Sequence, residues 1–296
     1  MTTPAVPTPP GSLAASTAHP FAASAAHPFA ASAAHALDDL RARTPLVQCL
    51  TNEVTTNLVA NALLAIGASP AMASAPGEAE ELAGLAGALL VNLGTLGPDQ
   101  RAAVEPTVAV ASGAGTPWVL DPVAVGVLSV RTRLAGRLLA ERPAVVRGNA
   151  SEVLALAGLA AAGRGVDAGD DVDAAADAAD AVARWTGGAV AVSGPVDLVT
   201  DGRTHVRLAV GDPLLTTITG AGCALGGLVA AFAAVTDPLT AGVGATTALG
   251  LAAERAAQVA RGPGSFPAAL LDELHALTSD DLAAHVGRAA HVAVLA

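Results

Sequence analysis

The residues best suited to chemistry form a glycine turn late in the chain, Thr219-Gly220-Ala221-Gly222-Cys223. A β-like stretch precedes the turn and a long apolar run of small residues follows it, which predicts a helix that begins at the turn. Its free N–H groups and positive dipole end would point at an incoming anion. The chain contains no lysine, and a backbone site of this kind needs none. The turn therefore predicts a phosphate-transfer site with a thiol beside it.

Two interpretations of Cys223 follow from its position. A free cysteine is most often a small buried apolar residue. At the start of a helix, however, the dipole lowers the pKa of a thiol and makes proton exchange near neutrality feasible. Cys49, inside a predicted strand, is interpreted as a core residue, and the two cysteines lack the spacing of a metal site. The residues alone leave the role of Cys223 open.

The surrounding chain predicts an α/β fold in which crossover helices connect a mostly parallel sheet. Strands are predicted at 46–51, 69–73, 88–92, 118–122, 144–147 and 189–193, and helices at 54–66, 78–86, 98–112, 130–141, 151–157 and 173–185. Residues 197–200 and 205–210 are predicted to form a hairpin around Asp201-Gly202. After Gly222 the pattern predicts helix to the end of the chain.

Each predicted parallel strand ends near a polar residue, and ligands of such sheets bind beyond these carboxyl ends. Asp121, Arg147 and Ser193 follow three of the strands. Asn149 and Glu152 have the spacing of a capping box, but the same spacing would also let them hold the waters of a magnesium ion. Asp121 carries an uncommitted carboxylate and is predicted to contact metal or phosphate.

Composition limits the classes of partner. The formal net charge of −11 argues against nucleic acid, and an acidic protein that binds a nucleotide needs magnesium to offset repulsion. Residues 1–36, with a repeated histidine-containing unit, are predicted to be a disordered extension, and 37–296 a single domain. The uncharged stretch 213–236 favours a buried helix over a membrane span. The two distant cysteines favour a reducing cytoplasm, and the sequence start lacks the features of a signal peptide.

A series of longer motifs occurs in a fixed order: Thr51-Asn52-Glu53-Val54, 57–72 ending in Gly67-Ala68-Ser69-Pro70-Ala71-Met72, Asn92-Leu93-Gly94, Trp118-Val119-Leu120-Asp121-Pro122-Val123, Arg147-Gly148-Asn149-Ala150-Ser151-Glu152, Ser193-Gly194-Pro195-Val196-Asp197 and the turn from Thr219 to Cys223. Together they resemble the hydroxyethylthiazole kinases of thiamine salvage, within the ribokinase-like superfamily. The resemblance implies a three-layer α/β/α fold. It also implies transfer of the ATP γ-phosphoryl group to the primary alcohol of 4-methyl-5-(2-hydroxyethyl)thiazole.

The resemblance also implies roles for individual residues. Met72 and Gly220 would contact the thiazole alcohol, Asn52 and Asn57 would line the thiazole pocket, Arg147 and Ser193 would contact ATP, Asp121 and Glu152 would organise Mg²⁺, the turn from Gly220 to Gly222 would form the anion hole, and Cys223 would take the place of the usual aspartate base. Members of this family usually form trimers with the pocket at the subunit interface.

Three positions depart from the family pattern: Gln48 where histidine is common, Glu53 where an aromatic or neutral residue is usual, and Ala221 where threonine is usual. Alternative functions remain. The dehydratase of hydrated nicotinamide cofactors shares the superfamily but generally ends its turn in aspartate. A hydroxymethylpyrimidine kinase and a non-catalytic thiazole-binding protein are the other two alternatives.

Overall fold

A nine-stranded sheet organises the part of the chain that the computed structural model describes, residues 28–160, 172 and 174–294. Its strand order is β2-β1-β3-β4-β5-β6-β7-β8-β9. The strands are β1 (Leu46–Leu50), β2 (Ser69–Ala71), β3 (Ala88–Asn92), β4 (Trp118–Asp121), β5 (Val145–Asn149), β6 (Ala189–Ser193), β7 (Asp197–Thr200), β8 (Thr204–Leu208) and β9 (Ala290–Val294). Strands β1 to β6 pair in parallel, and β7 to β9 continue the sheet antiparallel.

Helices cover both faces of the sheet. They are α1 (Pro28–Arg43), α2 (Thr56–Ile66), α3 (Glu78–Ala83), α4 (Pro98–Ala114), α5 (Ser129–Ala140), α6 (Ala150–Ala160), α7 (Ala176–Thr186), α8 (Ala221–Ala233), α9 (Pro238–Val259), α10 (Phe266–Ala276) and α11 (Ser279–Ala289), with a 3-10 helix at Pro213–Thr217. One core lies beneath α1, α2 and α8 to α11, and a second beneath α3 to α7. The predicted three-layer α/β/α arrangement is confirmed.

The predicted boundary of the N-terminal extension differs from the structure. Residues 28–36, assigned from sequence to a disordered segment, form the first half of α1, where Ala33 and Ala36 are buried. Helix α1 packs against α9 and α11, so distant chain supplies the apolar partner that this alanine-rich segment needs. Residues 1–27 of the predicted extension lie outside the described residues.

The prediction of helix from Gly222 to the end of the chain is also wrong at the last element. Strand β9 pairs antiparallel with β8, from Leu208↔Ala290 to Thr204↔Val294. Without it, β8 would be the sheet edge, with unpaired backbone groups that favour strand addition. No helix within the described ranges is long and apolar enough to cross a membrane. The uncharged stretch 213–236 contains the 3-10 helix and α8 instead.

The start of α11 provides a stability prediction. Asp281 completes a capping box with Thr278 and pairs with Arg255, whose Nη2 lies 2.6 Å from Asp281 Oδ1. The bonds from Arg255 and Thr278 hold the pKa of Asp281 well below its usual range. We expect Asp281→Ala to lower the free energy of unfolding by about 1 to 2 kcal/mol at neutral pH, measured by urea denaturation.

The sign of its pH dependence follows from the lowered pKa. The stabilisation is complete above the unfolded-state pKa of about 4 and disappears as the pH falls through the folded-state value. The difference in free energy of unfolding between the wild type and Asp281→Ala should therefore become smaller at acidic pH. Asp280→Ala, an exposed change in the same turn, is the control. An equal loss in both variants, or a gap that does not narrow, would contradict the account.

Candidate functional site

The carboxyl ends of the parallel strands bring the predicted polar residues to one edge of the sheet. Register pairs Asn92 of β3 with Asp121 of β4, and Asn149 of β5 with Ser193 of β6. Helix α8 begins at the same edge, since Arg147 near the end of β5 touches its first turn. The sheet therefore assembles side chains that are far apart in the sequence, as expected for a parallel arrangement.

Asp121 is the most deeply buried acid of this edge, with 1% of its surface exposed. Its Oδ2 accepts a hydrogen bond of 2.7 Å from Asn92 Nδ2 and lies 3.8 Å from Arg147 Nη1. Its Oδ1 is buried without a hydrogen-bond partner in the described structure. Burial is the main reason why the pKa of Asp121 rises to about 7. Glu152 raises it further, whereas Arg147, Asn92 and the Val123 backbone N–H oppose the shift. The carboxylate thus has one oxygen available for a cation.

The Arg147 guanidinium lies between β6 and the start of α8. Its Nη2 donates a 2.8 Å hydrogen bond to Ser193 Oγ. A Cβ atom on Gly222 would lie 2.7 Å from Arg147 Nη1, so only glycine leaves this space to the guanidinium. The predicted ATP contacts Arg147, Ser193 and Gly222 therefore lie together. They combine a cation, a hydroxyl and helix N–H groups, which suits a phosphate.

The glycine turn begins a helix as predicted, but a 3-10 helix at Pro213–Thr217 precedes it where a β-like stretch was expected. Gly220 has φ +98°, and a Cβ at this position would lie 2.8 Å from Thr55 Cγ2, so the residue is restricted to glycine twice over. The first intrahelical bond runs from Ala224 N to Gly220 O, at 2.8 Å. The N–H groups of Ala221, Gly222 and Cys223 precede that bond. They are the first-turn donors that a helix leaves for a ligand.

The pKa of Cys223 differs in direction from the prediction. The dipole argument predicted a lowered value, but burial and, next, the charge of Asp121 raise it. Hydrogen bonds with Thr55 and Asn92 and the charge of Arg147 oppose that rise without reversing it. Cys223 is therefore a neutral thiol near neutral pH. Cys49 lies in the core as predicted, and burial raises its pKa to about 12.

Both carboxylate oxygens of Glu152 have backbone partners. Oε2 accepts from Asn149 N at 3.0 Å, and Asn149 Oδ1 accepts from Glu152 N at 2.9 Å, which confirms the capping-box interpretation. Oε1 accepts from Ala124 N at 2.8 Å. Val123 and Ala124 have φ values of +23° and +62°, unusual for residues with a side chain. Glu152 therefore holds the strained loop that follows Asp121.

These donors fit a magnesium ion of the kind used with nucleotides. Such an ion needs only one or two carboxylates, because phosphate oxygens and water complete its shell. The unpartnered Oδ1 of Asp121 supplies one oxygen, and Glu152 lies close enough to shift the pKa of Asp121. Across the described ranges, no three residues among His, Cys, Asp and Glu form a dedicated metal cage.

Four residues were predicted on the acceptor side: Asn52, Asn57, Met72 and Gly220. None of them lines the cavity that lies beside α8 in the described structure. Asn52 Oδ1 accepts from Val54 N at 2.9 Å and from Thr95 Oγ1 at 2.6 Å. Asn57 is exposed and accepts from Asn61 Nδ2 at 3.1 Å. Met72 is half-buried and packs against the same core as α2 and α8. Asn52 therefore shapes a loop, and Asn57 faces outward from α2.

A cavity of about 670 Å³ extends from the Arg147 guanidinium along α8 and α9. Its lining comprises Arg147, Ser193, Gly194, Pro195, Asp197, Ala209, Val210, Gly211, Asp212, Pro213, Leu215, Thr216, Ala221, Gly222, Leu225, Thr246, Leu249, Gly250 and Glu254. The lining is mainly apolar, and its charged residues are Arg147, Asp197, Asp212 and Glu254. An apolar cavity with a few polar groups suits a nucleotide.

Sequence reasoning did not select two acids and one amide that belong to this site. Asp197 accepts from Gly194 N at 2.8 Å, and burial is the main reason why its pKa rises to about 6. Its place at the end of the motif that begins with Ser193 was the available signal. Asn92 was noted at its strand end but not as the partner of Asp121. For Glu254, in the middle of a long helix, the sequence offered no signal.

Comparison with known proteins supports the resemblance to the hydroxyethylthiazole kinases. A family model described as "Hydroxyethylthiazole kinase family" matches residues 37–280. The hydroxyethylthiazole kinase of Clavibacter sepedonicus is 56% identical over 242 residues, which cover 81% of this chain and 88% of that protein. The hydroxyethylthiazole kinase of Cereibacter sphaeroides (strain ATCC 17029) is 52% identical over 246 residues, 83% of this chain and 94% of that protein.

Solved structures agree with the sequence matches. The hydroxyethylthiazole kinase protein from Pyrococcus horikoshii OT3 superposes with a TM-score of 0.81 at 38% identity, covering 90% of this chain and 99% of that one. The pyridoxal kinase from Staphylococcus aureus in complex with ADP has a TM-score of 0.55 at 18% identity, over 71% of this chain and 87% of that one. The second match concerns the fold alone. The predicted ribokinase-like architecture is confirmed.

Proposed function

The chain belongs to the hydroxyethylthiazole kinase family, and on that premise we propose how its residues transfer the γ-phosphoryl group of ATP to the primary alcohol of 4-methyl-5-(2-hydroxyethyl)thiazole. The enzyme is a phosphotransferase. Such transfer passes through a loose transition state, so positioning and charge neutralisation provide most of the catalysis. The observation that carries the proposal is the contact of the Arg147 guanidinium with the first turn of α8.

The nucleotide occupies the cavity beside α8. Arg147, Ser193 and the first N–H groups of α8 contact the phosphates where the cavity meets the α8 turn. The apolar part, with Leu215, Leu225 and Leu249, receives the base and sugar. The Gly220 to Gly222 turn provides donors where charge develops on the transferred group, and these donors are already in place before the reaction.

Asp121 and Glu152 would hold magnesium near the phosphates. A bound Mg²⁺ ion neutralises phosphate charge and orients the transferred group. Asp121 would provide a carboxylate oxygen, since its Oδ1 is buried without a hydrogen-bond partner in the described structure. Glu152 acts mainly by fixing the loop at Ala124 and by adding negative charge. Arg147 balances the two carboxylates when the site is empty.

Cys223 orients the acceptor alcohol. The thiol lies in the first turn of α8 within hydrogen-bond reach of Asn92 and Thr55. Because burial keeps it protonated, it serves better as a hydrogen-bonding partner of the alcohol than as a strong base. Gly220 and Met72 would contact the same alcohol, and Asn52 would shape the entrance through its bond to Thr95.

A cysteine substitution tests this role. We expect Cys223→Ala to lower kcat by at least about tenfold and at most roughly 10²-fold, since an orienting group contributes less than a full general base. Cys223→Ser, which keeps a hydrogen-bonding group, should retain more activity. Steady-state ADP release with both substrates saturating is the measurement.

Cys49→Ala is the matched control, because Cys49 is a buried thiol within β1 and not part of the α8 turn. Its kcat should equal that of the wild type. An unchanged kcat in Cys223→Ala would remove Cys223 from the mechanism. A loss well beyond 10²-fold, not restored by serine, would instead make the thiol the principal base.

We further propose a cytoplasmic homotrimer in which a neighbouring subunit completes the thiazole pocket. The exposed face of α2 supports this assembly: Asn57 lies on it, and Leu64 is 58% exposed. Val54, just before the helix, is 69% exposed. Sedimentation equilibrium tests the assembly, with Leu64→Glu expected to dissociate it. A wild-type monomer that is fully active would contradict the shared pocket.

A further inference from the structure

Helix α9 provides one wall of the nucleotide cavity. Four of its residues line the cavity with the spacing of a single helix face: Thr246, Leu249, Gly250 and Glu254. The facing wall is the segment 209–216, which follows β8 and leads into the 3-10 helix. Glu254 takes no part in the proposed phosphoryl transfer. By charge alone, an acid beside a polyphosphate site would oppose the binding of ATP.

The Glu254 carboxylate contacts the facing wall. Its Oε1 accepts a 3.0 Å hydrogen bond from Gly211 N. Gly211 has φ +115°, a conformation that favours glycine. The bond therefore fixes the direction of the chain at the point where it leaves β8 for the cavity.

A second contact fixes the same segment one residue earlier. A Cβ atom on Gly250 would lie 2.5 Å from Val210 Cγ2 and 2.8 Å from Val210 Cγ1. The absence of a side chain on Gly250 thus lets Val210 lie directly on α9. The segment is held by a hydrogen bond at Gly211 and by close packing at Val210.

The charged neighbours of Glu254 do not account for its position. His285 Nε2 is 3.9 Å from Glu254 Oε1, beyond a hydrogen bond, and burial lowers the pKa of this histidine. Arg255, the next residue on α9, pairs with Asp281 instead. The Gly211 N–H is therefore the closest recorded partner of the Glu254 carboxylate.

We propose that Glu254 is a positioning residue for the nucleotide: it holds the wall segment 209–216 against α9 and so sets the affinity for ATP. The inference rests on the proposed placement of the nucleotide in this cavity. Glu254 acts through Gly211 and has no part in the transfer itself. Its loss should therefore weaken ATP binding and leave the thiazole site and the transfer step nearly unchanged.

The test compares Glu254→Ala with Glu254→Gln, because the glutamine amide oxygen can still accept from Gly211 N. We expect Glu254→Ala to raise KM for ATP, and Kd for a fluorescent ADP analogue, by about tenfold. KM for the thiazole and kcat should change less than about twofold. Glu254→Gln should remain near the wild type. Glu141→Ala, an exposed acid at the end of α5, is the control.

A second pair of variants tests the wall without altering charge. Gly250→Ala should raise KM for ATP in the same way, because its methyl group displaces Val210. Adding Val210→Ala removes the two methyl carbons nearest to that Cβ, so the double variant should recover part of the affinity. Thermal unfolding of each variant separates this effect from a general loss of fold.

The outcomes separate this inference from the proposed function. Unchanged nucleotide affinity in Glu254→Ala would overturn the positioning role. Equal losses in Glu254→Ala and Glu254→Gln would also overturn it, because charge and not the bond to Gly211 would then matter. If Leu249→Trp, which fills the cavity, left ADP-analogue binding intact, the proposed nucleotide placement itself would fail.

Discussion

Replacing Asp121 with asparagine is expected to lower kcat roughly 10³-fold, the largest single effect predicted for this enzyme. Asparagine has nearly the same shape, and its oxygen can still accept from Asn92 Nδ2. The change therefore removes the negative charge while preserving the packing of β4. With it goes a buried carboxylate oxygen, Oδ1, that has no hydrogen-bond partner in the described structure.

The same substitution should leave the protein at least as stable as the wild type. The pKa of Asp121 is raised to about 7 in the folded state, above its unfolded value of about 4. Between these values the folded state binds one more proton, so wild-type stability falls as the pH rises. The stability of Asp121→Asn does not fall in this way, because asparagine does not titrate. In magnesium-free buffer, the free energy of unfolding of the variant should therefore exceed that of the wild type by an amount that grows from about pH 4 to about pH 7.

Two measurements decide the Asp121 prediction: steady-state ADP release at saturating magnesium and urea denaturation across pH. Asn92→Asp places a second acid beside Asp121 and should destabilise the protein at neutral pH. It therefore serves as a control with the opposite expected effect on stability. An active Asp121→Asn enzyme would show that the carboxylate has no role in transfer. A variant that is inactive because it unfolds would contradict the burial argument.

The second large effect concerns Arg147. We expect Arg147→Gln to lower kcat/KM for ATP roughly 10²-fold, because the proposed phosphate site loses its cation and Asp121 loses its counter-charge. Arg147→Lys should be intermediate, since lysine keeps the charge but lacks the planar fork that contacts Ser193 and the α8 turn. KM for the thiazole should change far less.

Arg137→Gln is the matched control for charge. Arg137 pairs with Glu105 on the surface, and 55% of its side chain is exposed, so its loss should leave both KM values unchanged. If Arg147→Gln altered KM for the thiazole and not for ATP, the two substrates would have to exchange places in the proposed site. Equal kcat/KM values for ATP in Arg147→Lys and the wild type would show that only the charge of this residue matters.

Much of the sheet could be predicted from the sequence. Strands β1 to β6 begin within one residue of their predicted positions, because buried parallel strands are short apolar runs bounded by turns and polar residues. Two elements were missed at the ends of the chain. Helix α1 and strand β9 both depend on distant partners, α11 and β8, and no local pattern reports such contacts.

Part of the candidate site could likewise be predicted from local sequence, and part could not. Arg147, Ser193 and the glycine turn could be predicted to lie together because each ends a strand or begins a helix at the same sheet edge. The pKa of Cys223 could not, since the local dipole rule omits the burial and the Asp121 charge that dominate it. The bond between Glu254 and Gly211 joins residues 43 positions apart and could not be predicted from the sequence either.

The most direct test of the central claim, transfer at the α8 turn to the thiazole alcohol, is ADP release by the purified protein with ATP and magnesium. The account predicts release that requires 4-methyl-5-(2-hydroxyethyl)thiazole, stops without magnesium, and is much weaker with hydroxymethylpyrimidine. Arg147→Gln should abolish most of it. A folded protein that releases no ADP in response to the thiazole would contradict the account, and dehydration of a hydrated nicotinamide cofactor would then be the activity to measure.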